Sequence, residues 1–179
     1  MNCSAKTFTI LKAYLKKNYF WDMQIKLIAI GKTDSPQLDR LISTYQNRLS
    51  HYVRFSFEII PDLKNSKNLT EKLQKEAEGK LILDKITSTD RLILLDENGK
   101  EMDSIGFSSF LQKQMNSGIK QLVFVIGGPY GFSEALYKKA VGSLALSKMT
   151  FSHQMVRLFV IEQLYRGFTI LKNEPYHHR

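Results

Sequence analysis

From residue 23 onward, the apolar positions alternate between short near-continuous runs and helical spacing. Gln24 to Ile30 (QIKLIAI) reads as a strand ending at Gly31. Ser35-Pro36 sets a cap and a first-turn proline before a helix with Leu38, Leu41, Ile42, Tyr45 and Leu49 along one side. Val53 to Ile60 reads as the second strand, closed by Pro61. Asn68 is expected to cap a charged helix from about Leu69 to Leu83, its lysines and glutamates forming mainly a solvated face. Arg91 to Leu95 reads as the third strand, with Asp96-Glu97-Asn98-Gly99 as a turn. Asp103 or Ser104 caps a third helix running through Phe107, Phe110 and Leu111 towards Gly118.

The run Leu122-Val123-Phe124-Val125-Ile126 has no polar interruption, which fits a strand buried on both faces in the middle of a parallel sheet. It stops at Gly127-Gly128-Pro129-Tyr130-Gly131, and Ser133-Glu134 opens a helix holding Leu136, Tyr137 and Ala140. Ser143 to Ser147 is a short fifth strand or an extended loop. Ser152 caps the last long helix, from His153 to about Asn173. This order predicts a single α/β domain with a mainly parallel sheet. The last helix carries Val156, Leu158, Phe159, Val160, Ile161, Leu164, Tyr165 and Phe168 over nearly its whole circumference. Such a helix needs burial on more than one side, and a second copy of the chain is the simplest cover beyond the sheet. A homodimer is therefore expected.

Residues 1–22 differ in character, with four lysines against one acid, and Lys12 breaks their only apolar run. They make a poor signal peptide. Phe8, Leu11 and Leu15 fall at the spacing of an amphipathic helix. Residues 1–22 read as an extension, with Met23 as the expected start of a domain covering 23–179.

Composition adds a partner class. The net charge of +9 over 179 residues, with a pI near 9.6, points to a polyanion such as nucleic acid. The single cysteine, Cys3, excludes an internal disulfide framework and a cysteine-rich zinc site, and fits the reducing cytoplasm. No apolar run approaches membrane-spanning length.

Three segments are expected to meet at the carboxyl edge of the sheet, where open α/β sheets bind ligands: Leu95-Asp96-Glu97, Gly127 to Gly131, and Leu146 to Phe151. They offer backbone polar groups and apolar walls, suited to a neutral ring such as adenine. The glycine turn is neither G-x-G-x-x-G nor a P-loop, and it holds no Lys or Arg, which argues against a triphosphate. His153 and Arg157, four apart, share a helix face beside this edge. The tail Glu174-Pro175-Tyr176-His177-His178-Arg179 is either a frayed terminus or a set of groups for stacking on a base and contacting phosphate. Its two histidines lack the further ligands a metal site needs, so none is expected.

The stretches VIGGPYGFS, LALSKMTFSHQMVRLFVIEQLYRGFTI and NEPYHH together resemble the RlmH family of SPOUT methyltransferases, and the resemblance runs from Met23 to the carboxyl terminus. It implies a parallel-sheet SPOUT fold with a carboxyl-terminal trefoil knot, a homodimer, and S-adenosylmethionine as cofactor. It also implies methylation of N3 of a pseudouridine in the helix 69 loop of large-subunit ribosomal RNA. By motif, Leu95, Gly127 and the loop Leu146, Ser147, Lys148, Met149, Thr150 and Phe151 are similar to the family's cofactor contacts. His153, Arg157, Tyr176 and His177 are similar to its substrate-handling residues. Arg157 would stabilise charge on the ring carbonyl oxygens, and His153 or the tail would act as base. Gly127 is expected to exclude a side chain because a Cβ would project towards the cofactor. The ending YHHR departs slightly from the family's usual one, which leaves His178 without a role. The rival readings are an RNA-binding protein on the same scaffold and, more distantly, a nucleotide hydrolase.

Overall fold

The computed structural model describes residues 23–63 and 69–177. The expectations for residues 1–22, the Asn68 cap and the terminal His178 lie outside the described residues. The chain alternates β1 (Gln24–Ile30), α1 (Pro36–Ser50), β2 (Arg54–Ile60), α2 (Glu71–Leu83), β3 (Arg91–Glu101), α3 (Ser104–Asn116), β4 (Gln121–Ile126), α4 (Glu134–Lys139), β5 (Gly142–Ala145) and α5 (His153–Leu171). The five strands form one sheet in the order β2-β1-β4-β3-β5, and every pairing is parallel.

The apolar run of β4 is explained by two cores. Leu122, Phe124 and Ile126 pack with α1, α3 and α5 on one face, while Val123 and Val125 join Ile82 of α2 and Leu136 of α4 on the other. With both faces covered, alternation has no polar side to mark. Helix starts follow side-chain capping: the Ser35, Thr70, Asp103 and Ser152 side chains accept from the amides of Leu38, Leu73, Gly106 and Met155.

Three expectations change. β3 does not stop at Leu95 but continues to Glu101. Leu95 and Lys100 both pair with Leu144, so Asp96 to Gly99 bulge out and the strand then rejoins β5. The Asn98 amide donates to Asp96 Oδ1 at 2.8 Å, so the turn chemistry is real but sits inside a strand. Leu41 is 49% exposed rather than part of the buried stripe. At about 100° per residue it lies roughly 60° round from Leu38, at the stripe's edge. Glu78 is not solvated; it is only 3% exposed, on the inward line Gln74–Glu78–Ile82 of α2.

α5 lies beside both α1 and α3 on one face of the sheet. Asp34 meets Gln154 and Tyr45 meets Tyr165, so α1 and α5 run parallel. These flanking helices account for much of the all-round apolar surface of α5 that the sequence reading gave to a second copy. Leu158 and Phe159 remain only half-buried.

Candidate active site

The carboxyl ends of β4 and β5 and the bulge of β3 border a cavity of about 500 Å³. That is within the roughly 300–1,000 Å³ of small-molecule and cofactor pockets. Leu95, Ile126, Leu144, Leu146, Phe151 and Val156 form apolar walls, and the turn from Gly127 to Phe132 forms one rim. The three expected segments therefore do meet at this edge.

The turn is tight because the Gly131 amide donates back to the Gly128 carbonyl at 3.1 Å, with Gly131 at φ +81°. Gly127 is also crowded from within the turn. A Cβ there would lie 3.0 Å from Phe132 Cε1 and 3.3 Å from the Gly131 carbonyl, inside the turn itself. At Gly128 a Cβ would come within 2.2 Å of Glu78 Oε2.

Polar groups tie the three segments together. The Thr150 hydroxyl donates to Glu97 Oε2 at 3.0 Å, fastening the loop after β5 to the β3 bulge. The Tyr137 hydroxyl of α4 donates to Asp96 Oδ2. Partial burial first, and then Asp96, push the Tyr137 phenol up to about 12, so it stays a donor at neutral pH. Lys75 reaches the rim from α2. Lys75, Phe132 and Tyr137 line the cavity without having been singled out as site residues in the sequence; Lys75 comes from α2, Phe132 from the turn itself and Tyr137 from the helix after it.

His153, the first residue of α5, lines the cavity. Partial desolvation, and then the Arg157 charge, lower its pKa, which leaves the imidazole neutral and able to accept a proton.

The family model described as a predicted SPOUT methyltransferase matches residues 23–177. The chain belongs to the SPOUT methyltransferase family. It is 71% identical over 157 residues to the ribosomal RNA large subunit methyltransferase H of Flavobacterium johnsoniae, covering 88% of this chain and 100% of that protein. The proteins of that name from Christiangramia forsetii and Porphyromonas gingivalis are 64% identical over 157 residues and 51% identical over 156. These cover 88% and 87% of this chain and 100% and 99% of those proteins. The RlmH resemblance read from the three motifs therefore stands.

Within this SPOUT methyltransferase, the residues suggested by motif fall into two groups. Leu95, Gly127, Leu146, Ser147, Met149, Thr150, Phe151 and His153 line the cavity, while Lys148 does not. Arg157 does not line it either. It is 1% exposed, and its guanidinium donates to the carbonyls of Ile30 at 2.8 Å and Gly31 at 2.9 Å and to Thr33 Oγ1 at 3.1 Å. Its two terminal nitrogens thus serve the end of β1, while its buried Nε has no hydrogen-bond partner among the described residues. The tail lies elsewhere again. The Tyr176 hydroxyl donates to Glu162 Oε1 at 2.9 Å, and its ring lies 4.7 Å from that of Tyr165, with the Arg166 guanidinium 4.7 Å above it. Tyr165 is twelve residues beyond His153 on α5, roughly 18 Å at 1.5 Å per residue. One chain does not bring Tyr176 and His177 to its own cavity.

Proposed function

We propose that this methyltransferase uses S-adenosylmethionine to methylate N3 of a pseudouridine in the helix 69 loop of large-subunit ribosomal RNA. Residues 23–179 form the catalytic domain, and two copies complete each site. The observation that carries this reading is the cavity that Leu95, Gly127, Leu146, Ser147, Met149, Thr150 and Phe151 form at the carboxyl edge, in a chain so similar to ribosomal RNA methyltransferases.

The cavity fits the cofactor. Its apolar walls and backbone rim suit an adenosine, and Asp96 and Glu97 bring negative charge to a ligand that carries a cationic sulfonium. When bound, the cofactor supplies a methyl group already activated for transfer, so the protein's part is placement and proton removal. The imide N3–H is a weak acid, and its nitrogen becomes a good nucleophile only as the proton leaves. Neutral His153, at the cavity, is placed to take that proton, an effect worth about 10²–10⁴-fold. Arg157 acts indirectly by fixing the end of β1 and by disfavouring the charged form of His153.

The distance between tail and cavity favours a shared site, in which Tyr176 and His177 of one copy approach the cavity of the other and help hold the RNA base. Half-buried Leu158 and Phe159 on α5, with exposed Met155 on the same helix and exposed Leu41 on α1, give a second copy apolar surface to cover. The net charge of +9 suits the ribosomal RNA phosphates, and the trefoil knot and a cytoplasmic location follow from the same family reading. Among the described residues, no helix is long and apolar enough to cross a membrane. Calorimetry with S-adenosylmethionine tests the reading: saturable binding is expected, and no heat up to millimolar cofactor removes it in favour of a plain RNA-binding protein.

A further inference from the structure

We propose that Glu78 is a positioning residue of the methyl-transfer site, a buried carboxyl on α2 that holds the glycine turn in the shape that receives the cofactor. The inference rests on the methyltransferase reading and deepens it, because it concerns a residue outside the cavity lining.

Glu78 is 3% exposed, and its carboxyl group packs directly on Gly128. A Cβ at Gly128 would stand 2.2 Å from Oε2, 2.7 Å from Cδ and 2.8 Å from Oε1. The next residue, Gly79, makes the matching contact at the other end of the segment, where a Cβ would stand 2.2 Å from Ser133 Oγ. Two consecutive residues of α2 therefore meet both ends of the segment 128–133, whose Pro129, Tyr130 and Phe132 line the cavity. Any change in size or charge at position 78 is transmitted to that rim.

The surroundings suit a neutral carboxylic acid. Gln74 Nε2 donates to Oε1 at 2.8 Å, fixing the plane of the group. Oε2 has no hydrogen-bond partner among the described residues, and neither has Ser133 Oγ. A lone buried carboxylate with one donor is costly, whereas a protonated acid is not. Burial raises the Glu78 pKa, the Gln74 hydrogen bond opposes this, and the Asp62 carboxylate, from the segment after β2, raises it further. Gly128, which packs on the carboxyl group, carries no charge.

The test compares the full-length wild type with E78Q and E78A by calorimetry with S-adenosylmethionine, alongside thermal melts. E78Q keeps the shape and neutrality of the acid, so its affinity is expected within about twofold of wild type. E78A leaves the turn unsupported and is expected to weaken binding at least about tenfold while the protein still folds. Wild-type affinity is also expected to fall more steeply with rising pH than that of E78Q, because Glu78, its pKa raised by burial, can ionise as the pH rises and glutamine cannot. The cofactor's own amine and His153 are the same in both proteins and cancel in the comparison. E78A binding like wild type, or E78Q binding as weakly as E78A, overturns the proposal. If E78A fails to fold, the pH comparison decides, and identical profiles for wild type and E78Q overturn it. If wild type itself binds no cofactor, the methyltransferase reading fails separately. Hydrogen exchange at residues 127–131 then judges Glu78, with faster exchange in E78A expected and unchanged exchange overturning the claim.

Discussion

Replacing Arg157 by methionine separates a structural arginine from a catalytic one. The guanidinium is 1% exposed and donates three hydrogen bonds: to the Ile30 and Gly31 carbonyls, which end β1, and to Thr33 Oγ1. Methionine fills most of the volume and offers no donor, so two buried carbonyls lose their partner. Losing the hydrogen bonds from a charged donor at two buried carbonyls costs about 3–5 kcal/mol together. For a chain of this length each kcal/mol lowers Tm by about 2–4 °C, which gives a drop of roughly 6–20 °C. Arg157→Lys should fall between, since one ammonium cannot reproduce the planar fork. Circular-dichroism melts at fixed protein concentration measure this. His153 supplies a second readout: without the neighbouring cation its pKa should rise towards the ordinary histidine value, as followed by NMR titration. A Tm loss under about 2 °C together with a large fall in kcat would refute the reasoning and return Arg157 to the substrate.

With His153 as base, kcat/KM should increase with pH through a His153 pKa that lies below the ordinary histidine value, and then level off. His153→Gln should lower kcat by about 10²–10⁴-fold and abolish that rise, and an unchanged pH–rate profile would assign the proton to another group. Gly127→Val should weaken cofactor binding measurably by calorimetry, because its Cβ alone meets Phe132 at 3.0 Å. Mixing Gly127→Val subunits with subunits lacking residues 175–179 should restore about one working site per mixed dimer. If subunit exchange is verified and activity stays at the parental level, each chain carries a complete site.

Much of this architecture was legible because it rests on local signals. The Ser35-Pro36 and Ser152 caps, the two-sided apolar run of β4 and the glycine turn each state their role within a few residues. The cavity's three walls followed from placing strand ends at one edge. What escaped the sequence depends on contacts between distant segments. The turn at Asp96–Gly99 is a bulge only because β5 pairs on both sides of it. Thr70 accepts from the first-turn amide of α2, two residues past the expected cap. Glu78 looked like one more charge on a charged helix, although its spacing with Gln74 and Ile82 places it on the inward line. Arg157 shares a helix face with His153, yet that spacing is silent on whether a guanidinium turns to a cavity or to the backbone carbonyls of β1. The tail's chemistry was equally visible, but its distance from the cavity was not.

The most direct test of the central claim is mass mapping of the host's ribosomal RNA before and after deletion of the gene. Loss of one methyl group from the helix 69 pseudouridine is predicted, with its return on re-expression of the wild-type chain and not of the His153→Gln variant. Persistence of that methyl group in the deletion strain would contradict the account.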